Sequence, residues 1–157
     1  MSETTNIKTL KNGETVELIR VCPLDTQPDV CAYLKQTVTD TIKLGFCSPD
    51  TAWDNSKVGA VVMKKDAQII GIVAYHNKII YGDNKNKKLL PILIGGVNKE
   101  YRSIGAYSIL HKELEELARE QGYGAILSYV RFRNQNMMSA LKALGKNITT
   151  VTCHKDL

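Results

Sequence analysis

The sequence has no apolar run long enough to cross a bilayer. Its longest runs, residues 69–75 and 89–97, fall well short of the roughly 20 residues that a membrane-spanning helix needs. The polar first 11 residues also lack the apolar core of a secretory signal peptide. We therefore expect a cytoplasmic protein that does not contact membranes.

Cysteines are few and scattered. No two of the four cysteines form a C-x-x-C pair, and although Cys153 adjoins His154, two neighbouring side chains do not make a zinc site. The remaining three stand at positions 22, 31 and 47. This spacing predicts buried or unreactive thiols, and we expect no metal.

Aromatic residues are also scarce, at 6%, and they are not interleaved with basic residues in any motif that reads nucleic acid. The chain nevertheless carries a formal net charge of +5, from 21 Lys and Arg against 16 Asp and Glu. Such a surface favours an anionic ligand. Nucleic acid and a phosphorylated cofactor both qualify. The missing motif makes nucleic acid the weaker hypothesis.

The length and composition indicate one globular domain. The chain has 157 residues, of which 43% are hydrophobic and 24% charged. It contains no internal repeat and no low-complexity tract. We expect residues 1–13 to be a partly mobile N-terminal segment and residues 14–157 to form a single domain.

Hydrophobic periodicity predicts alternating strands and helices. Strand patterns occupy residues 14–21, 58–64, 69–81, 89–97, 125–130 and 147–154. Helical patterns followed by glycine occupy residues 28–44, 103–120 and 134–144. The composition of residues 46–57, around the lone Trp53, is that of a loop, and Trp53 either lines a pocket or packs in the core. Short turns join the second, third and fourth predicted strands, which predicts an antiparallel meander.

One junction concentrates residues that suit a phosphate, where the strand at 89–97 leads into the helix at 103–120. A helix start exposes N–H groups without partners and carries a partial positive charge. Gly105 permits close approach of a ligand, and Lys99 and Arg102 add cationic side chains. The junction therefore predicts a diphosphate site.

Two glycines precede this junction. Gly95 and Gly96 let the strand edge depart from its neighbour, so that a ligand can pair with the freed amides. Alternatively, the pair forms a β-bulge. The sequence leaves both interpretations open.

At these residues the chain resembles the GNAT superfamily of N-acyltransferases. The central signature of that family is Arg or Gln, two residues, Gly, one residue, then Gly or Ala. Here Arg102 and Gly105 match it, Val97 precedes the Arg as in the family, and Tyr107 departs from the final Gly or Ala. Residues 130–145 form a second block, with the family's spacing of strand, Asn, helix and Gly.

The resemblance implies an α+β fold, in which a mixed, mostly antiparallel central sheet is flanked by helices and splayed between its fourth and fifth strands. It also implies transfer of an acetyl group from acetyl-CoA, as cosubstrate, directly to an amine on a small molecule or protein. The residues implied to bind the cofactor are Gly96, Val97, Arg102, Ser103, Ile104, Gly105, Ala106, Tyr107 and Asn134. In the family the Asn lies beside the pantetheine arm. Asn is equally suited to cap a helix.

The usual catalytic side chains of the family are missing. Leu141 stands where a Tyr commonly protonates the departing thiolate, and Lys146 replaces the aromatic residue after the Gly. The fourth predicted strand contains no Asp or Glu, which is a frequent place for the base. The candidates for catalysis are therefore Glu100, His76 and Tyr129, with Ser128, Asp50 and Asp54 as further alternatives. We interpret His111 as an ordinary, partly exposed histidine.

These gaps support a second hypothesis. The chain is then a GNAT-like domain that has lost catalysis and serves as a CoA-binding or protein-interaction module. A nucleic-acid-associated protein is a third and weaker hypothesis, based on net charge alone. Under any of them we expect a monomer or a homodimer.

Overall fold

The computed structural model describes residues 5–82, 86–131 and 133–147. These residues form seven strands and three α-helices. The strands are β1 (Thr5–Thr9), β2 (Thr15–Val21), β3 (Val58–Lys65), β4 (Gln68–His76), β5 (Ile80–Tyr81), β6 (Lys88–Val97) and β7 (Ala125–Leu127). The helices are α1 (Pro28–Lys43), α2 (Ala106–Glu120) and α3 (Gln135–Ala143).

The strands form one mixed sheet. The first four pair antiparallel with their sequence neighbours, and β4 pairs antiparallel with β6. The short strand β5 pairs antiparallel with the start of β6, whereas β7 lies parallel to it. This arrangement confirms the predicted mixed, mostly antiparallel sheet, including the meander.

The sheet is covered by α1 on one face and by α2 on the other. Because neighbouring residues of a strand point to opposite faces, Val61 packs in the cluster that contains Leu110 of α2, and Val62 packs in the cluster that contains Leu34 of α1. All six residues from Val58 to Met63 are buried. The continuous apolar run of β3 therefore reflects burial on both faces.

The helices follow the predicted periodicity. Val30, Leu34 and Val38 are the buried residues of α1, and Pro28 occupies its first turn. No described helix combines the length and the apolarity that a bilayer crossing requires. The core positions of α1 were thus readable from their spacing, whereas on α2 the spacing did not predict the burial of His111 and Glu113.

Several predicted boundaries were wrong. The helix expected from residue 103 begins at Ala106, because Ser103 and Gly105 have φ angles of 65° and 87°, which an α-helix does not admit. The strand expected over 69–81 is interrupted by a turn in which Lys78 N donates to His76 O, 2.8 Å away. The strand expected over 125–130 ends at Leu127.

The N-terminal segment, which we expected to be partly mobile, contributes the edge strand β1 over Thr5–Thr9. The polar pattern of that segment carries no alternation that would have predicted a strand. Asn147 lies outside any strand, and the rest of the strand predicted over 147–154 lies outside the described residues.

A partly buried ion pair ties the sheet to α2. Glu113 of α2 is 2% exposed, and its Oε1 accepts from Arg20 Nε of β2 at 2.7 Å. Asn6 Nδ2 of β1 also donates to Glu113, at 3.2 Å. The guanidinium of Arg20 reaches Glu120 as well, at 2.5 Å. This network anchors the outer strands to the helix.

Replacing Arg20 with Met should lower the free energy of unfolding by about 3–5 kcal/mol, because Glu113 would be left buried without its cation. Urea denaturation measures the loss. Arg119→Met is the matched control, since Arg119 is 69% exposed and its pair with Glu115 should contribute no more than about 1 kcal/mol. Equal losses for the two variants would contradict this account of the network.

Candidate functional site

β6 is paired with β7 along one edge for only part of its length. β7 pairs with it only from Leu89 to Pro91, while β4 pairs with it from Ile92 to Val97. Over residues 92–97, no strand within the described part of the chain pairs with the second edge of β6. The predicted splay between the fourth and fifth predicted strands is therefore confirmed.

The backbone of β6 presents hydrogen-bonding groups along this free edge. Asn98 N donates to Ile70 O at 2.8 Å, so the N–H of Asn98 points toward β4. Because successive residues of a strand point their N–H groups to opposite edges, those of Gly95 and Val97 point to the free edge. The N–H of Gly96 points toward β4.

The two glycines are sites of close packing, and the bulge lies elsewhere. Gly95 and Gly96 stay in register with β4, and the irregularity falls at Leu93. A Cβ at Gly95 would lie 2.8 Å from Cε2 of Tyr107, and one at Gly96 would lie 2.9 Å from Cγ2 of Thr37. Side chains from α2 and α1 therefore rest on the two faces of the strand, and the alternative of a bulge at the glycines was wrong.

Between β6 and α2 the chain makes an irregular turn. Tyr33 of α1 donates its hydroxyl to Oδ1 of Asn98 at 2.6 Å, which fixes the start of the turn. Arg102 Nε donates to Val97 O at 2.9 Å, on the free edge. The side chain of Arg102 is otherwise exposed, and no acceptor among the described residues contacts its terminal nitrogens.

The start of α2 is open. Gly105 is its N-cap residue, in the left-handed region with φ 87°, and no side chain of the described residues caps the helix. The first helical hydrogen bond runs from Ile109 N to Gly105 O, at 3.1 Å. In the described part of the chain, the amide groups of residues 103–108 have no hydrogen-bond acceptor. A helix start in this state attracts an anion.

Lys11 adds positive charge beside this start. Its amide donates to Ile104 O at 3.2 Å, and its Cε lies 3.5 Å from where a Cβ of Gly105 would stand. The loop after β1 therefore contributes a cation that the sequence motif did not indicate. No sequence motif could indicate this contact, because Lys11 and Gly105 are far apart in the chain.

Tyr107 does not cover the helix start. Its ring lies against Gly95 on the α2 face of β6 and packs against the core beneath α2. Burial raises the pKa of its phenol to about 12, so the hydroxyl is neutral at physiological pH. The residue that departs from the family signature thus occupies one face of the strand and leaves the amides open.

One helical turn further on, His111 is buried, at 1% exposure, so the interpretation as partly exposed was wrong. Its ring centroid lies 6.2 Å from that of Tyr107. Nδ1 lies 3.1 Å from Oε1 of Glu115, and Nε2 has no partner among the described residues. Burial and the charge of Lys146 lower the pKa of His111, which keeps the ring neutral.

Lys146 completes this cluster. Its Nζ donates to Ser128 Oγ at 2.5 Å, and Ser128 immediately follows β7, where β7 parts from β6. Burial lowers the pKa of Lys146 to about 8, with the carboxylate of Glu115 opposing the shift. The side chains come from α2, from the end of β7 and from the segment after α3, so no single stretch of sequence signalled them.

The predicted cofactor residues divide into two groups. Those from Gly96 to Tyr107 lie at the end of β6, in the turn and at the start of α2. Asn134 instead caps α3, where its Oδ1 accepts from Met137 N at 3.2 Å. The side chain of Asn134 is thereby engaged in the capping role that the sequence had left open.

The predicted catalytic residues are dispersed. Glu100 lies exposed in the turn after β6, and Tyr129 is 80% exposed after β7. His76 ends β4, where burial and nearby Lys78 lower its pKa. No hydrogen bond joins these three residues in the described structure.

A separate open pocket of about 390 Å³ lies between α1 and the loop that follows it. It is lined by Cys31, Ala32, Lys35, Ala52, Trp53 and Asn55. Trp53 also packs against the core cluster of α1, and its Nε1 donates to Asn55 Oδ1 at 2.8 Å. Trp53 therefore packs against the core and also lines a pocket, and its predicted contact with a substrate stays a prediction. No group of three His, Cys, Asp or Glu residues in the described chain could hold a metal ion.

Comparison with solved structures identifies the fold. An aminoglycoside acetyltransferase from an uncultured soil metagenomic sample matches with a TM-score of 0.68 at 15% identity, over 92% of this chain and 98% of that one. A second such enzyme, in complex with sisomicin, matches with a TM-score of 0.69 at 10% identity, over 90% and 96%. The ribosomal-protein-alanine N-acetyltransferase from Brucella melitensis biovar Abortus 2308 matches with 0.65 at 10%, over 90% and 99%.

At these identities the likeness shows the fold, which is that of the GNAT-like acetyltransferases. The chain matches no protein-family model, and no curated protein sequence matches it.

Gly95→Ala should lower the free energy of unfolding by about 1–3 kcal/mol, because the new methyl group would overlap the Tyr107 ring. In a Tyr107→Ala background the same substitution should cost less than half as much. Gly124→Ala is the control, since the atoms nearest to it belong to the flexible side chain of Lys87. Urea denaturation of the double-mutant cycle measures the coupling, and equal costs in both backgrounds would refute the contact.

Proposed function

We propose that the protein is an N-acetyltransferase that moves an acetyl group from acetyl-CoA directly to an amine acceptor, in the cytoplasm. The observation that carries the proposal is the open start of α2 beside the free edge of β6. A row of amides without acceptors, next to a strand edge without a partner, suits a ligand with a diphosphate at one end and an extended amide-containing arm.

The diphosphate would lie at the start of α2. The amides of residues 103–108 have no acceptor in the described part of the chain, and the helix dipole adds partial positive charge. Arg102 is held by Val97 O through Nε, which leaves its terminal nitrogens to bind phosphate oxygens. Lys11 lies on the other side of Gly105. Together they make a cationic cradle.

The pantetheine arm would follow the free edge of β6 away from this cradle. The edge groups of Val97 and Gly95 would pair with the amides of the arm, as a neighbouring strand would. The five steps from Val97 to Ile92 span about 17 Å at the rise of an extended strand. The thioester would then lie where β7 departs. Asn134, at the start of α3, is proposed to lie beside the arm. Gly96 is proposed to lie beside it as well, in the part of β6 that the arm follows.

The reaction needs a neutral amine placed near the thioester carbonyl and a donor for the developing oxyanion. A free-edge amide of β6 would supply the donor. Glu100, a predicted catalytic residue, follows Val97 and therefore lies at the diphosphate end, about 17 Å of strand from the proposed thioester position, which is too far for it to act as the base. His76 at the end of β4 and Tyr129 after β7 lie nearer to the thioester end and are the proposed candidates for proton removal from the acceptor.

The acceptor is proposed to be a small molecule that carries an amine. The neighbours named as aminoglycoside acetyltransferases, one of them bound to sisomicin, support this class. The pocket beside Trp53 offers a place for an organic ligand, at about 390 Å³.

Arg102→Glu should weaken binding of acetyl-CoA about 10- to 100-fold, because a charge-assisted hydrogen bond of about 1.5–3 kcal/mol is replaced by repulsion. Lys112→Glu, an equal change of charge at an exposed site on α2, should alter binding by less than about twofold. Isothermal titration calorimetry measures both. Equal binding by the wild type and the two variants would remove the start of α2 as the coenzyme site.

A second candidate function is a coenzyme-binding module without catalysis. It is favoured by the Tyr107 ring on Gly95, by buried Leu141 in the place of the usual acid, and by a β6 without carboxylates. Under this hypothesis the site binds acetyl-CoA and no amine is acetylated.

With a suitable amine supplied, free thiol should be released from acetyl-CoA at least about 100-fold faster in the presence of the protein than in its absence, since general acid–base catalysis alone contributes that much. A panel of aminoglycosides, polyamines and peptides with free N termini, assayed with a thiol reagent, provides the measurement. Tight binding of coenzyme without amine-dependent thiol release would favour the binding module.

A further inference from the structure

The cluster around Lys146 has no role in the function proposed above, and it lies where β7 parts from β6. Ser128 is the first residue after β7, and it accepts a hydrogen bond from Nζ of Lys146. His111 and Glu115 of α2 border the same group. The His111 ring is adjacent to that of Tyr107, which rests on the free strand. A line of side chains therefore connects Lys146 with the α2 face of β6, beside the end of β7.

From this geometry we infer that Lys146 is an internal acyl acceptor, whose side-chain amine takes an acetyl group from acetyl-CoA bound along the free edge of β6. The inference rests on the proposed function, because it requires the coenzyme in that position. It assigns a modification site to the protein, in addition to transfer to a diffusible amine.

The surroundings of Lys146 favour the reactive form of its amine. Burial lowers its pKa to about 8, and Glu115 of α2 opposes this shift. His111, which also interacts with Lys146 from α2, is kept neutral by burial and by the charge of Lys146, while Ser128 contributes no charge. At pH 8 about half of Lys146 is then neutral, about a hundredfold more than for an ordinary lysine with a pKa near 10.4.

The step balances without another reactant. The lone pair of Lys146 Nζ attacks the thioester carbonyl carbon, a C–N bond forms, and the C–S bond breaks with its electron pair on the thiolate. One proton leaves the nitrogen and passes through Ser128 Oγ or water to the thiolate. The products are acetyl-lysine and CoA. Acetylation removes the positive charge of Lys146. Because that charge lowers the pKa of His111, acetylation would raise the pKa of His111.

The test is peptide mass spectrometry after incubation of the purified protein with acetyl-CoA across a pH series. Lys142, exposed on α3, is the internal reference. Lys146 should gain one acetyl group at least about 10-fold faster than Lys142 at pH 8. The rate at Lys146 should level off above pH 8, where its amine is mostly neutral. Ser128→Ala should slow the reaction of Lys146 severalfold without affecting Lys142, because it removes the hydroxyl that positions the amine.

Calorimetry with CoA on the same preparation separates this inference from the proposed function. Binding of CoA without preferential acetylation of Lys146 overturns the inference and leaves the proposed function standing. Failure of CoA to bind overturns both. Preferential acetylation that survives Arg102→Glu at full rate would also overturn it, because the acyl group would then have arrived without the coenzyme site.

Discussion

The early departure of β7 from β6 is the constraint on which the rest of the site depends. The two strands share a parallel ladder over three residues, after which one edge of β6 has no strand neighbour among the described residues. Backbone N–H and C=O groups on such an edge must bind water, side chains or a ligand. Arg102 already takes one of them, the carbonyl of Val97. The remaining edge leads to the open start of α2, and the proposed coenzyme site combines these two features.

The two glycines of β6 explain how closely the helices pack on this strand. Gly95 and Gly96 admit Tyr107 from one face and Thr37 from the other, so the two helices approach the strand closely. Tyr107 differs from the small residue of the family signature, and its ring is accommodated because the strand beneath it has no side chain. Because Gly95 makes room for the ring, Tyr107 can replace the small residue of the signature while the start of α2 stays open. This packing also brings Tyr107, and beside it His111, against the α2 face of β6.

Predictions from the sequence succeeded where periodicity and turn chemistry act locally. The strands of the meander, the buried positions of α1 and the junction of β6 with α2 follow from patterns within short segments. The start of α2 was misplaced because positive φ values at Ser103 and Gly105 end the irregular turn later than apolar spacing suggests. The strand β1 was missed because an exposed edge strand has no buried face to impose alternation. Glu100, His76 and Tyr129 were chosen by residue type, and the fold disperses them.

The sequence by itself determined the GNAT-like order of elements, the motif from Arg102 to Gly105 and the lack of the usual catalytic side chains, because these properties belong to contiguous residues. Only the tertiary structure decided which groups meet. Lys11 reaches Gly105, Glu113 meets Arg20, and Lys146 meets Ser128 and His111 across segments far apart in the chain. The pKa values of His111 and Lys146 are lowered mainly by burial. Burial arises only when the helices and the sheet pack together, so the identity of a residue does not reveal it.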